Sequence, residues 1–339
     1  MPMWWQRLKD RVLGWFRREP TPGRFDDGGK FSTHGWVSSA PAVWPSREYR
    51  VYVPRNAPRF TRLPLIVLIH GCRQTADDIA RGTRIAELAD RDGAVVLLPN
   101  QKDAANVWRC WNWFDPRTWH GAGEAAIVAA QIRAVRRRYR IDRKRVLVAG
   151  MSSGGALAAI MGVRFPRLVS AVAVHSGIAC GAARSAMTAI QVLKHGPEQH
   201  VETIAAQARE AAMPAGIRMP LLAIQGDRDE VVPAVHAAAL VRQYLVLNGE
   251  DAARAEDAKT STSHADGRIE IVREWLRDGR LVVRYVEVQG LAHAWSGGDA
   301  SLDFNDAAAP DATALLGTFL TDALSSHSRG AKRRWLFWE

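Results

Sequence analysis

The segment Gly150-Met151-Ser152-Ser153-Gly154 constrains this chain more than any other. It follows an apolar run at 145–149 and opens onto Gly154-Gly155-Ala156-Leu157-Ala158-Ala159, a run of small, helix-compatible residues. A buried strand that turns at once into a helix needs small residues at the crossing, because a side chain there would meet backbone. G-x-S-x-G in that setting lifts a serine hydroxyl to the top of a sharp strand-to-helix turn. Such a turn needs a strand that runs directly into a helix packed closely on the sheet.

The rest of the chain repeats the alternation. Apolar runs at 65–70, 94–99, 170–175 and 221–225 read as strands buried on both faces, and 50–54 as a further strand. Helical periodicity is expected over 76–90, 121–139, 153–164, 234–248 and 310–325. Residues 268–276 and 280–288 flank Asp278-Gly279 and predict a β-hairpin. Residues 20–30 read as a linker or extended entry, and 100–120, 176–200 and 251–267 as irregular. The expectation is one α/β domain over 21–328, with a mainly parallel central sheet and helices on both faces.

The net charge of +11 is unevenly placed. Residues 130–145 hold eight basic residues and one acidic one. Cations at the end of the long helix complement its dipole, and no nucleic-acid module surrounds them, so no nucleic-acid partner is expected. The two chain ends, 1–20 and 329–339, are basic and rich in Trp. Trp4, Trp5, Leu8, Val12, Trp15 and Phe16 fall on one helical face. That face suits either the protein's own core or an anionic lipid or polymer surface. Arg7, Lys9, Asp10 and Arg11 interrupt the apolar run that a standard signal peptide needs.

A serine nucleophile needs a base, and the base needs an acid to orient it. In a sheet of this kind the order along the chain is serine, acid, histidine. Asp229 follows the 221–225 strand, and His293 follows the second hairpin strand. Asp227 is the rival acid and His175 the rival base, but His175 precedes the acid. Backbone N–H groups of Ser153 and of Cys72, in the loop after 65–70, are the candidate oxyanion donors. His70 is then expected to organise that loop. No H-E-x-x-H, C-x-x-C or P-loop occurs, and neither metal nor organic cofactor is expected.

Four motifs in this order carry a family resemblance: His70-Gly71-Cys72-Arg73-Gln74-Thr75, Arg109-Cys110-Trp111-Asn112-Trp113-Phe114, Gly150-Met151-Ser152-Ser153-Gly154-Gly155 and His293-Ala294-Trp295-Ser296-Gly297-Gly298. Together, over about residues 45–325, they resemble the polyhydroxybutyrate-depolymerase family of esterases. The resemblance implies an α/β-hydrolase fold and ester or polyester hydrolysis. Feruloyl and acetylxylan esterases share the pattern. An extracellular location is implied too, with cytoplasmic or granule-associated placement as the alternative. The basic, Trp-rich ends suggest docking on a polyester granule or anionic lipid.

Cys72 and Cys110 both lie in loops near the expected site, and a Cys72–Cys110 bridge would pin those loops together. The alternative is three reduced thiols, as in a reducing compartment. Trp111, Trp113 and Trp295 are expected to wall a substrate pocket, although large aromatics also fill cores.

Overall fold

Strands with apolar residues on both faces must be covered on both faces, and that requirement organises the computed structural model. It describes residues 23–32, 46–55, 57, 61–197, 201–213, 218–265 and 268–324. The expected amphipathic segment 1–20 and the basic tail 329–339 lie outside the described residues.

In chain order the strands are β1 (Arg24–Ser32), β2 (Ser46–Val53), β3 (Leu63–Ile69), β4 (Val95–Asn100), β5 (Ile141–Met151), β6 (Ala171–His175), β7 (Leu221–Gly226), β8 (Lys259–Ala265), β9 (Arg268–Arg277) and β10 (Arg280–Val288). The helices are α1 (Ala76–Gly82), α2 (Ile85–Asp92), α3 (Pro116–Trp119), α4 (Gly123–Arg138), α5 (Ser153–Arg164), α6 (Ala186–His195), α7 (Val201–Ala212), α8 (Val235–Leu247) and α9 (Ala312–Leu324). The main sheet runs β1-β2-β4-β3-β5-β6-β7-β10-β9-β8. The block from β4 to β10 is parallel throughout. The antiparallel strands β1 and β2 flank one side, and β9 and β8 the other.

Alternate side chains of each strand enter opposite cores. Leu65, Val67, Ile69, Val146 and Val148 pack with α4, α5 and α8. Ile66, Leu68, Leu147, Ala149 and Met151 pack with α1, α2 and α9. The sheet is therefore sandwiched between helical layers, as expected. Helix α5 is buried from Ser153 through Val163. Its small residues let it lie directly on the strands, and a Cβ on Gly154 would stand 2.2 Å from Ile69 O.

Three expectations need correction. The single helix expected over 76–90 is two helices. Thr83 Oγ1 donates to Ile79 O at 2.6 Å, and Arg84 adopts φ 53°, which ends one helix before the next begins. The 176–200 stretch contains α6, started by a Ser185–Thr188 capping box. The polar segment near 251–267 contributes β8, whose side chains are largely exposed because it is the sheet edge. The extended entry expected over 20–30 is extended from Arg24 and pairs as β1 on the other edge. No described helix is long and apolar enough to cross a membrane.

Candidate active site

Parallel register brings the strand ends to one rim. Ile69 pairs with Gly150, Met151 with His175, His175 with Ile224, and Gly226 with Val288. The loops that leave those strands carry Cys72, Ser152, Ser176, Asp229 and His293. Residues far apart in sequence therefore share one edge, at the carboxyl ends of the parallel strands.

Ser152 occupies the turn between β5 and α5, with φ 55° and ψ −122°. That conformation is costly for a side-chain-bearing residue, on the order of 1–3 kcal/mol, and it persists only where surroundings hold it. Here the holding is backbone against backbone. Ser152 N–H donates to His175 O at 3.0 Å, and Ala156 N–H to Ser152 O at 2.9 Å. A Cβ on Gly150 would fall 2.4 Å from Gly154 O, so the turn closes only with glycine there.

Asp229 is buried past the end of β7. Its Oδ1 accepts from Val231 N–H at 3.0 Å and Val232 N–H at 2.8 Å. Its Oδ2 lies 2.8 Å from His293 Nδ1 and accepts from Gln225 Nε2 at 3.3 Å. Burial alone would raise this carboxyl. Hydrogen bonding and charge from His293, with donors at Val232 and Ser176, outweigh it and hold the carboxylate below its usual range. Asp227, the rival acid, instead accepts from Gly290 N–H at 2.6 Å and ties the two loops together. The ring of Phe304 stands edge-on to His293 at 6.5 Å.

His175, the rival base, is enclosed and stacked on Trp295 at 5.1 Å. Its Nδ1 lies 3.2 Å from Ser176 Oγ, while its Nε2 has no hydrogen-bond partner among the described residues. Burial, then the charge of His293, depresses it to about 3. His70 is also enclosed. Its Nε2 accepts from Gln101 N–H at 3.0 Å and its Nδ1 faces Gly71 O at 2.7 Å. Burial depresses it to about 4. Both rings are neutral in the fold, yet they would take protons near 6.5 in the unfolded chain. The unfolded state therefore binds more protons below that pH. Stability is fully present above 6.5 and falls on acidification, by on the order of 1.4 kcal/mol per pH unit for each ring. The urea midpoint is expected to drop steadily from pH 6.5 towards 4. An unchanged midpoint across that window would remove this account.

The candidate oxyanion loop is stapled to the aromatic loop. Cys72 and Cys110 are joined by a disulfide with Cα atoms 4.1 Å apart. Arg73 N–H donates to Trp108 O at 2.7 Å, and Trp111 N–H to Ser153 Oγ at 3.3 Å. Ser153 Oγ also lies 3.4 Å from Cys72 Sγ; since that sulfur carries no hydrogen, the hydroxyl is the donor. A Cβ on Gly71 would come within 3.3 Å of Ser152 Cβ, so the loop backbone lies directly against the serine. Among the described residues, neither Cys72 N–H nor Ser153 N–H donates to a protein acceptor.

The tryptophan expectation is corrected. Trp111, Trp113 and Trp295 are 0%, 6% and 2% exposed, so they are core rather than pocket wall. Trp111 Nε1 donates to His70 O at 3.1 Å and Trp295 Nε1 to Thr313 Oγ1 at 3.0 Å, which consumes their polar edges internally. Trp108, 62% exposed beside the disulfide, is the indole that faces solvent at this loop.

Residue-by-residue reading also missed the groups that hold the site. Glu124 Oε2 accepts from Asn112 N–H at 2.7 Å, and its Oε1 from Gln101 Nε2 at 2.7 Å and from the buried Arg47 at 2.8 Å. That carboxylate anchors the aromatic loop from a helix. Gln225 and Ser176 support Asp229 in the same way. A polar residue inside an apolar run, as Gln225 is in β7, was the available signal, because such a group must find partners when buried.

The model of the family described as "Esterase PHB depolymerase" matches residues 47–266. Feruloyl esterase B of Neurospora crassa is 33% identical over 159 residues, 44% of this chain and 53% of that protein. Poly(3-hydroxyalkanoate) depolymerase C of Paucimonas lemoignei is 26% identical over 202 residues, 59% of this chain and 48% of that one. The chain thus spans about half the length of these curated relatives. The solved acetyl xylan esterase from Aspergillus awamori superposes with a TM-score of 0.61 at 20% identity, covering 73% of this chain and 89% of that one. The shared architecture is the α/β-hydrolase fold.

Proposed function

This chain belongs to the Esterase PHB depolymerase family, and from that premise we propose that it is a serine-dependent carboxylic ester hydrolase acting through Ser152, His293 and Asp229. The observation that carries the reading is the 2.8 Å contact of His293 Nδ1 with the buried Asp229 carboxylate, on the rim that holds the strained Ser152 turn.

In this mechanism Ser152 Oγ attacks the ester carbonyl and its proton passes to His293 Nε2. Asp229 keeps the other ring nitrogen protonated, so Nε2 is free to accept, and it stabilises the imidazolium. The N–H groups of Cys72 and Ser153 receive the negative charge that develops on the carbonyl oxygen. The C–O bond then breaks, the leaving alkoxide takes the proton from His293, and an acyl-enzyme remains. Water, deprotonated by His293, hydrolyses it and restores Ser152. Every step uses side chains and backbone of this chain.

The proposed substrates are short hydroxyacyl esters and polyesters of the polyhydroxybutyrate type. The exposed Val107 and Trp108 next to the disulfide support an apolar acyl chain at the mouth. A second reading, a feruloyl or acetylxylan esterase, is favoured by the higher identity to the feruloyl relative. The Cys72–Cys110 bridge supports an oxidising, extracellular location. Docking on a granule or anionic lipid through residues 1–20 and 329–339 completes the proposal.

Short-chain p-nitrophenyl esters are expected to be hydrolysed, and 3-hydroxybutyrate oligomers faster than methyl ferulate or acetylated xylan. The reverse ranking selects the second reading, and no turnover of any ester removes both. In the same assay, polyhydroxybutyrate granules are sedimented with the chain. Equal sedimentation of a chain lacking residues 1–20 would argue against docking by that segment.

A further inference from the structure

The proposed mechanism uses none of the arginine-rich segment, yet the fold gathers it. Arg133, Arg136 and Arg137 on α4, Arg143 at the start of β5, Arg164 at the end of α5 and Arg167 in the turn after it line one concavity of about 760 Å³. They come from three elements and a turn. Helix dipoles favour cations at the last turn of α4 and of α5, each on its own helix. They do not explain why six guanidinium groups converge on one hollow that no carboxylate lines. Asp142, the acid within 130–145, accepts from Lys144 N–H at 2.9 Å and serves the turn.

Among the described residues none of the six has an ion-pair partner. Two are held in place. Arg164 Nε donates to Trp119 O at 2.7 Å, and Arg133 lies over the Phe165 ring at 6.0 Å. Arg133, Arg137, Arg143 and Arg167 are exposed and present their donors to solvent. Burial first, then the charges of Arg143 and Arg133, make the Arg136 cation harder to keep. Like charges held this close repel one another unless an anion sits among them. Guanidinium forks match the oxygens of a phosphate in pairs, which a scattered basic surface does not offer.

We propose that this concavity, between the ends of α4 and α5 and the start of β5, is a binding site for phosphate-bearing anions, either a free phosphorylated molecule or the headgroup of a phospholipid. It sits at the far end of β5 from Ser152. Nine residue steps along the strand separate Arg143 from the serine, about 30 Å. A ligand held there leaves the catalytic rim open, so binding and ester turnover are independent. On an anionic membrane the same geometry would turn the rim away from the lipid.

The test uses the full chain and needs no enzymatic readout. Sodium pyrophosphate is titrated calorimetrically at ionic strength matched with chloride. In a parallel arm, flotation is measured with vesicles of phosphatidylglycerol in phosphatidylcholine and with phosphatidylcholine alone. Both arms are repeated on Arg137→Gln/Arg143→Gln/Arg167→Gln, whose altered side chains are exposed; a melting curve in chloride equal to the parent's shows that it folds. If it melts lower, the single change Arg143→Gln replaces it. Because the basic chain ends also attract vesicles, only the difference between parent and variant is read. The triple variant is expected to bind pyrophosphate at least about tenfold more weakly. Loss in the pyrophosphate arm alone supports a small phosphorylated ligand, and loss in the vesicle arm a headgroup. A parent that binds neither probe, or a variant that binds both as tightly as the parent, overturns the proposal.

Discussion

Replacing Ser152 by alanine is expected to lower kcat on p-nitrophenyl esters by about 100,000-fold while leaving the fold intact. The change removes one oxygen and nothing that shapes the turn. The φ of 55° at Ser152 is enforced by the glycine crossings and by the two backbone bonds described above, and these do not involve Oγ. The oxyanion donors stay in place, so a residual rate from the hole and from substrate binding is expected, roughly a thousandfold or more above that in water. KM should change little, because the hydroxyl acts on the transition state rather than on the bound ester. Thermal unfolding should match the parent within a few degrees. A variant that keeps more than about a hundredth of parental turnover would show that the chemistry runs through another group.

The second large effect is expected from Asp229→Asn, about 10,000-fold in kcat. The substitution preserves shape but replaces the Oδ2 acceptor, which faces His293 and Gln225, by a donor, so it separates orientation from packing. The asparagine oxygen can still accept from Val231 and Val232, as Asp229 Oδ1 does. Its amide group then faces His293 Nδ1, where Oδ2 now lies at 2.8 Å. Two donors cannot share that contact. Nδ1 must give up its proton, the ring protonates at Nε2, and the nitrogen that should accept the serine proton is blocked. The positive charge that develops on the ring also loses its buried counter-charge. The double change with Ser152→Ala should cost little more than Ser152→Ala alone, because residues acting as one unit are not additive. A loss below tenfold in the single variant would mean that Asp229 does not orient the base. Parental turnover in Asp227→Asn would agree with its contact to Gly290 rather than to the histidine.

The arginine site differs from these predictions in kind. It rests on the opposite end of the sheet, and its test does not depend on hydrolysis. Failure there would leave the catalytic reading untouched, and failure of the catalytic reading would leave the arginine concavity as it is.

How much of this was legible in the chain can be argued residue by residue. The serine turn was, because its constraint is local: Gly150 and Gly154 are required by a crossing only a few residues long. The order of serine, acid and histidine was legible as well, because each follows its own apolar run and strand ends are recognisable from composition. The parallel core followed from those runs, since a strand buried on both faces cannot show alternation. The weak elements were not legible. Strands β1 and β8 lie at the sheet edges, where half the surface meets water and the apolar signal fades. The break at Thr83 and Arg84 depends on one side-chain bond to the preceding turn.

The tryptophans mark the limit most clearly. Their clustering beside the active loop could be read as a pocket wall or as core, and periodicity could not choose between the two. The fold chose core for Trp111 and Trp295, because His70 O and Thr313 Oγ1 wait at their indole nitrogens. Those acceptors lie 41 residues before Trp111 and 18 after Trp295, in other elements. The same holds for Glu124, Gln225 and Ser176, and for the six arginines. Sequence alone determined which chemistry-bearing residues stand at strand ends and in what order, because backbone sterics and burial act over a few neighbouring positions. Only tertiary structure decided which of them meet, which indoles are hidden and which cations are left facing one hollow, because those outcomes depend on distances between segments that the register of the sheet brings together.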